Sequence, residues 1–216
     1  MDGRYTGLTM FGFDDSTVFV FIGVAVAAAV ALIIFASRRA GQKRLEQLGP
    51  AFELGTAKLP SALSSSVEGI YLGYTCRYTV EQRSQYSPGG ATLRIGAASP
   101  LHWSASKADV GSRLMTNLGI LKDVEIGDAE LDERLRFSGS DRTSLLTVFG
   151  QTRTREALRE LALSENFASI AVRDRRSEIK WAPRHPEIDD DPDAVRLRLA
   201  KAIDVLTACS YPPTMG

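Results

Sequence analysis

Residues 18–36 read VFVFIGVAVAAAVALIIFA, nineteen residues without a charge, with Arg38 and Arg39 just beyond them. No other stretch limits the possible folds as tightly. An α-helix rises about 1.5 Å per residue, so the run spans about 28 Å, close to the roughly 30 Å of a bilayer's hydrocarbon core. A helix inside a soluble protein is rarely apolar on every face for that length. The run is therefore read as a membrane span. A cleaved signal peptide would want a positive N-terminal flank and a shorter apolar stretch. Here the preceding flank holds Asp2, Arg4, Asp14 and Asp15, and the bases follow the span as Arg38, Arg39, Lys43 and Arg44. An uncleaved anchor fits this order better.

Basic residues in short flanks are retained on the cytoplasmic side. The expected layout is a short extracytoplasmic N-terminus (1–17), a transmembrane helix (18–36) and a basic juxtamembrane helix (37–49). A linker (50–67) and a cytoplasmic domain (68–216) complete it. Asp15 or Ser16 can cap the helix, and Gly49-Pro50 ends it. The linker is expected because 51–67 is rich in Pro, Ser, Gly and Ala. Two features of the anchor are candidate contacts. Gly23, Ala27 and Ala31 recur every four residues, a small-residue stripe that lets helix backbones approach and could serve self-association. Alanine richness alone also produces such stripes. Arg38, Arg39, Lys43 and Arg44 could contact anionic headgroups, at about 1 kcal/mol per charge, or could only set topology.

The chain has 26 basic and 26 acidic residues. A balanced domain argues against nucleic acid as a partner, although overall neutrality permits a local patch. Cys76 and Cys209 are far apart and make no disulfide framework; reduced thiols suit a cytoplasmic domain.

Local patterns in the domain alternate between strand and helix without regular βαβ units. Residues 69–80 (GIYLGYTCRYTV) predict a strand, Pro88-Gly89-Gly90 a turn, and 91–97 a returning strand. Ser106 and Asp109 read as a capping box opening a helix through Val110, Leu114 and Leu118, closed by Gly119. Residues 122–126 and 135–138 predict short strands, with a helical turn between at 129–134. Asp141 caps a helix ending at Phe149-Gly150, and a second starts at Thr152 or Thr154. Ile170 and Val172, then Ile179 and Trp181, alternate across a polar turn and predict a hairpin. Asp191, Pro192 and Asp193 open a last helix with an apolar stripe of Val195, Leu199, Ala202, Ile203 and Leu206. The expected fold is α+β, a mainly antiparallel sheet with packed helices after one N-terminal transmembrane helix.

From Leu118 to Trp181 the chain resembles a broad group of bacterial membrane-anchored proteins of unknown function. They carry the motif G-D-x-x-[FL]-D-x-x-[FL], a short strand, an Asp, helices and a closing hairpin. The motif positions are Gly127, Asp128, Leu131, Asp132 and Leu135. The resemblance covers about a third of the chain and implies a fold and a bacterial inner (plasma) membrane, but no activity.

Candidate chemistry is sparse. Asp128, Glu130, Asp132 and Glu133 could bind a metal or work as an acid–base pair, but catalytic carboxylates need a placed partner, and capping and turn-holding explain them more simply. Glu187, Asp189, Asp190, Asp191 and Asp193 lack the spacing of a calcium loop and read as a solvated helix start. His102, beside Trp103 in an expected turn, and His185 are the only histidines; neither carries a local nucleophile signature. GQKR and SPGG lack a phosphate-loop context. The sequence thus assigns no catalytic, cofactor-binding or metal residue and no cofactor. It favours a non-enzymatic, membrane-anchored domain that binds an unidentified protein partner and regulates or scaffolds a complex. A tethered hydrolase-like enzyme with a site built from distant residues, and a sensor of anionic lipid, are the alternatives.

Overall fold

The computed structural model describes residues 15–58, 64–97, 101–108, 124–139, 141–173 and 176–210. The apolar run lies within one unbroken helix, α1 (Asp15–Leu48), of 34 residues and about 51 Å in length. Its stretch Phe19–Ala36 is long and apolar enough to cross a membrane, and none of it is buried against the rest of the protein. The basic segment continues the same helix as a stalk. A single 3-10 turn, Gly49–Ala51, ends it, with Pro50 at a position where its missing N–H costs nothing.

Of the segment expected as a linker, 50–67, the described residues 50–58 and 64–67 are instead built into the domain. Ala51 and Phe52 are buried, Leu54–Lys58 forms strand β1, and Ser64–Tyr71 forms β2. Runs of Ser, Ala and Gly have low strand propensity, so neighbouring strands rather than side chains recruit them. The expected single strand over 69–80 is divided. Leu72 and Gly73, both at positive φ (49° and 78°), make a two-residue turn between β2 and β3 (Tyr74–Glu81). Strand β4 (Gly90–Ile95) returns as expected. Strand β5 (Trp103–Lys107) replaces both the turn expected at His102-Trp103 and the start of the helix expected at Ser106. The rest of that expected helix, from Asp109 through Gly119, lies outside the described residues. Of the short strand expected over 122–126, residues 122 and 123 lie outside the described residues and 124–126 are not a strand; Val124 N–H donates to Phe137 O at 3.0 Å.

The remaining elements follow the sequence closely. They are α2 (Ala129–Arg134), β6 (Leu135–Gly139), α3 (Arg142–Phe149), α4 (Thr152–Ala162), β7 (Phe167–Arg173), β8 (Arg176–Trp181), a short α5 (Pro186–Asp189) and α6 (Pro192–Ser210). The eight strands form one sheet in the order β1-β2-β3-β4-β8-β7-β5-β6, antiparallel at every pairing. The fold is therefore α+β, an apolar N-terminal helix followed by an antiparallel sheet with packed helices.

Period-2 alternation sorts the sheet into two faces. Cys76, Tyr78, Leu93, Ile95, Ile179 and Trp181 point inward and are buried. Helix α6 lies over them, burying Val195, Leu199, Ala202 and Leu206. Each such large apolar side chain contributes about 1.5–3 kcal/mol before entropic costs. Helix α4 packs on α6, with Thr154 Oγ1 donating to Ala208 O at 3.4 Å. Near the β5–β6 edge, Phe149 of α3 meets Trp103 edge-on at 4.9 Å and Phe137 at 5.4 Å.

Candidate functional site

The acidic motif is a structural latch. Gly127 sits at φ +80°, where a side chain would strain the turn. Asp128 then caps α2 by accepting from Leu131 N–H at 3.2 Å. Asp132 turns its carboxylate back and accepts from the amides of Ile126 (2.9 Å), Gly127 (3.0 Å) and Asp128 (3.2 Å). Asp128 Oδ2 also takes Arg159 Nη2 at 2.9 Å, and Glu130 takes Arg159 Nε at 3.0 Å. Arg159 belongs to α4, so the motif ties α2 to that helix. Leu131 and Leu135, the motif's two apolar positions, are buried. The carboxylates hold backbone and arginine rather than an open coordination site.

The acidic run before α6 is divided among separate tasks. Asp191 caps α6 through Ala194 N–H at 3.0 Å. Asp190 pairs with Arg184 at 2.7 Å. Asp193 stays at the surface, 3.7 Å from Arg196. Asp189 is only 1% exposed and faces Arg198, itself 4% exposed, at 2.7 Å. The same Arg198 nitrogen donates to Tyr78 Oη at 2.8 Å. Its guanidinium lies 4.7 Å over the Trp181 ring. Asp189 Oδ2 is satisfied by His185 N–H at 2.8 Å. Burial pushes the Tyr78 phenol well above its ordinary value; the Arg198 charge opposes this and the Asp189 charge reinforces it. This closed ion pair pins α5 and α6 to the sheet. One sequence signal points to it. Arg198 falls on the apolar stripe between Val195 and Ala202, where a charge requires a buried partner.

The junction between α1 and the domain is the second unexpected construction. Leu48 is 1% exposed. Arg196 of α6 donates to Pro50 O at 2.5 Å. Gln47, Pro186, Glu187 and Asp191 line one open groove of about 410 Å³, so the stalk's end lies against α5 and the start of α6. Glu53 N–H donates to Ile70 O at 2.9 Å, extending the join to β2.

The other sequence candidates lie apart from these sites. Gly23, Ala27 and Ala31 are exposed on the apolar part of α1, and a Cβ at Gly23 would meet nothing within 4 Å. Arg38, Arg39 and Lys43 are exposed along the stalk; Arg44 is in the same helix, its side chain outside the described part. His185 stands at the N-cap position of α5 without a side-chain capping bond, and its Nε2 lies 3.8 Å from Glu165, while His102 leads into β5. Cys76 and Cys209 are free and buried, and burial pushes each thiol up to about 12. Protonated at neutral pH, they are poor nucleophiles. Among the described residues, no group of three or more His, Cys, Asp or Glu is placed to hold a metal ion. No protein-family model matches this chain and no curated protein does, so the resemblance read from Leu118 to Trp181 rests on those residues alone.

Proposed function

We propose that the chain is a single-pass protein of a bacterial inner membrane, with its N-terminus outside and its α+β domain in the cytoplasm. There the domain binds a protein partner and regulates or scaffolds a membrane complex. The observation that carries this reading is the unbroken, packed junction. An enzyme that only needs local concentration is served by a flexible tether. Here twelve helical residues beyond Ala36 set the domain about 18 Å from the end of the span, and buried Leu48, Ala51 and Phe52 fix how it faces. Such a link passes any shift or rotation of the membrane helix to α5, α6 and the sheet. The order of charges, acidic before the span and Arg38, Arg39, Lys43 and Arg44 after it, supports the cytoplasmic side. The stripe of Gly23, Ala27 and Ala31 offers a face for self-association of the same helix.

Affinity isolation of the full chain from native membranes in gentle detergent tests the partner reading. A stoichiometric co-purifying protein is expected. Repeated recovery of the chain alone would overturn it. Protease added to intact spheroplasts tests the side. The domain should survive until the membrane is opened, and digestion from outside would reverse the topology.

A further inference from the structure

The sheet face turned away from α6 carries a charge pattern that overall neutrality hides. Register places Glu68 opposite Arg77, Arg77 opposite Arg94, and Arg94 opposite Glu178. Arg176 is two residues from Glu178 on the same strand, hence on the same face, and Arg173 pairs directly with Arg176. Four arginines thus share one face, in two directly opposed pairs. Opposed like charges destabilise a sheet unless something neutralises them. Glu68 pairs with Arg77, and Glu178 accepts from Arg94 at 2.7 Å. Burial works against ionisation of Glu178, but the bonds from Arg94 and Lys180 outweigh it and hold the carboxyl below its usual value. Arg173 and Arg176 are exposed and have no carboxylate partner among the described residues.

Arg77, Arg94 and Arg176 converge on a cleft of about 440 Å³ whose lining includes Thr75 and Gly96. Gly96 N–H is engaged by Thr75 O at 2.9 Å, so these two residues sit side by side. Gly96 carries no side chain, and the cleft lies where one would stand. Three guanidiniums against the single carboxylate of Glu68 give the lining a net positive charge. A guanidinium presents five N–H donors in a fixed fork, and one carboxylate partner leaves others for a second oxyanion. Thr75, exposed, adds a hydroxyl.

We propose that this cleft binds a phosphate group, held by Arg77, Arg94 and Arg176 with the Thr75 hydroxyl as a further donor. The group belongs either to a soluble phosphorylated compound or to a phospholipid headgroup. The proposal is independent of the protein-partner reading. Two substitutions probe it without touching the core. Arg176→Glu reverses an exposed charge. Gly96→Val fills the cleft, and its Cβ would come no nearer than 3.6 Å to Thr75 O, an ordinary contact.

The full chain in neutral maltoside micelles is titrated with inorganic pyrophosphate, and separately with micelles doped with dioctanoyl phosphatidic acid. Binding is read by calorimetry and by the shift in unfolding temperature. At least one probe should saturate, and each variant should weaken that binding about tenfold or more with its probe-free unfolding temperature no lower than the parent's. Saturation by pyrophosphate identifies a soluble source, and saturation by phosphatidic acid alone identifies a headgroup. If Gly96→Val lowers the unfolding temperature, Arg176→Glu decides. Failure of both probes to saturate would overturn the proposal. So would wild-type affinity in Arg176→Glu, which would assign any phosphatidic acid binding to the stalk bases.

Discussion

Arg198 shows how one side chain can settle the placement of two helices. Its partners Asp189, Tyr78 and Trp181 come from α5, β3 and β8. Taking either charge alone out of a buried pair leaves the other without compensation, so Arg198→Met should cost about 3–5 kcal/mol of unfolding free energy. The double variant Arg198→Met with Asp189→Asn should recover much of that, because Asn can still accept from His185 N–H. Denaturant unfolding of the full chain in micelles measures both. Equal losses in the single and double variants would show that the pair is not what matters. Gly90 makes a second residue-scale constraint. A Cβ there would run into the Trp181 carbonyl oxygen across the β4–β8 pairing. Gly90→Ala should therefore destabilise the middle of the sheet by about 1–3 kcal/mol. The buried thiols give a pH dependence of known sign. An exposed thiol ionises near 9.0, whereas Cys76 and Cys209 in the fold hold their protons up to about 12. The unfolded chain thus releases protons first, so stability is whole below about pH 9 and falls as pH rises toward 12. Replacing both cysteines by Ala should flatten that alkaline decline, measured as the denaturant midpoint at pH 8 and pH 10.

At the scale of elements, α2 separates backbone satisfaction from surface charge. Asp128 has the more conspicuous partners, Arg159 and Arg155, but ion pairs that solvent still reaches through the arginine contribute about 1 kcal/mol. Its cap adds about another 1 kcal/mol. Asp132 makes no ion pair among the described residues, yet its loss strips acceptors from three amides, including that of buried Ile126. Each buried amide left unsatisfied costs about 1–3 kcal/mol. Asp132→Ala should therefore destabilise the domain more than Asp128→Ala, and thermal unfolding of the two variants checks the order. These helices were legible because their ends are written in side chains. Asp128, Asp141 and Asp191 each cap the helix that follows them. The β7–β8 hairpin was legible because Ile170, Val172, Ile179 and Trp181 alternate with polar residues. Strands β1, β2 and β5 were not, since LGTAK, SSSVEG and WSASK are rich in small and polar residues. Their strand character comes from partners distant in sequence: β5 is held between β6 and β7. The Arg77–Arg94–Arg176 cleft was equally hidden, because its residues converge only once β3, β4 and β8 are in register.

At the scale of the whole molecule, the order of strands governs how the two ends of the chain depend on each other. The β7–β8 hairpin enters between β4 and β5, joining a meander that starts at the anchor to one that starts at β5. Helix α6 then crosses β3 and β8 and reaches back to Pro50 through Arg196. The last helix therefore closes on the first, and Leu48 is where α1 enters that closure. Leu48→Asp should open the junction without dissolving the sheet, because β3, β4, β7 and β8 make their pairings independently of Leu48. The expected signature is new protease cleavage around residues 46–53 in the solubilised full chain, releasing a folded domain whose far-ultraviolet spectrum keeps its strand content. The parent chain should resist cleavage there, because an amide in a packed helix reaches a protease only through local opening. Rapid cutting of the parent at the same bonds would mean that the anchor is a loose tether. It would also remove the physical basis for the proposed transmission from α1 to the domain. Resistance in the parent, lost on changing this one buried leucine, would place the mechanical coupling between α1 and the domain at the end of that helix.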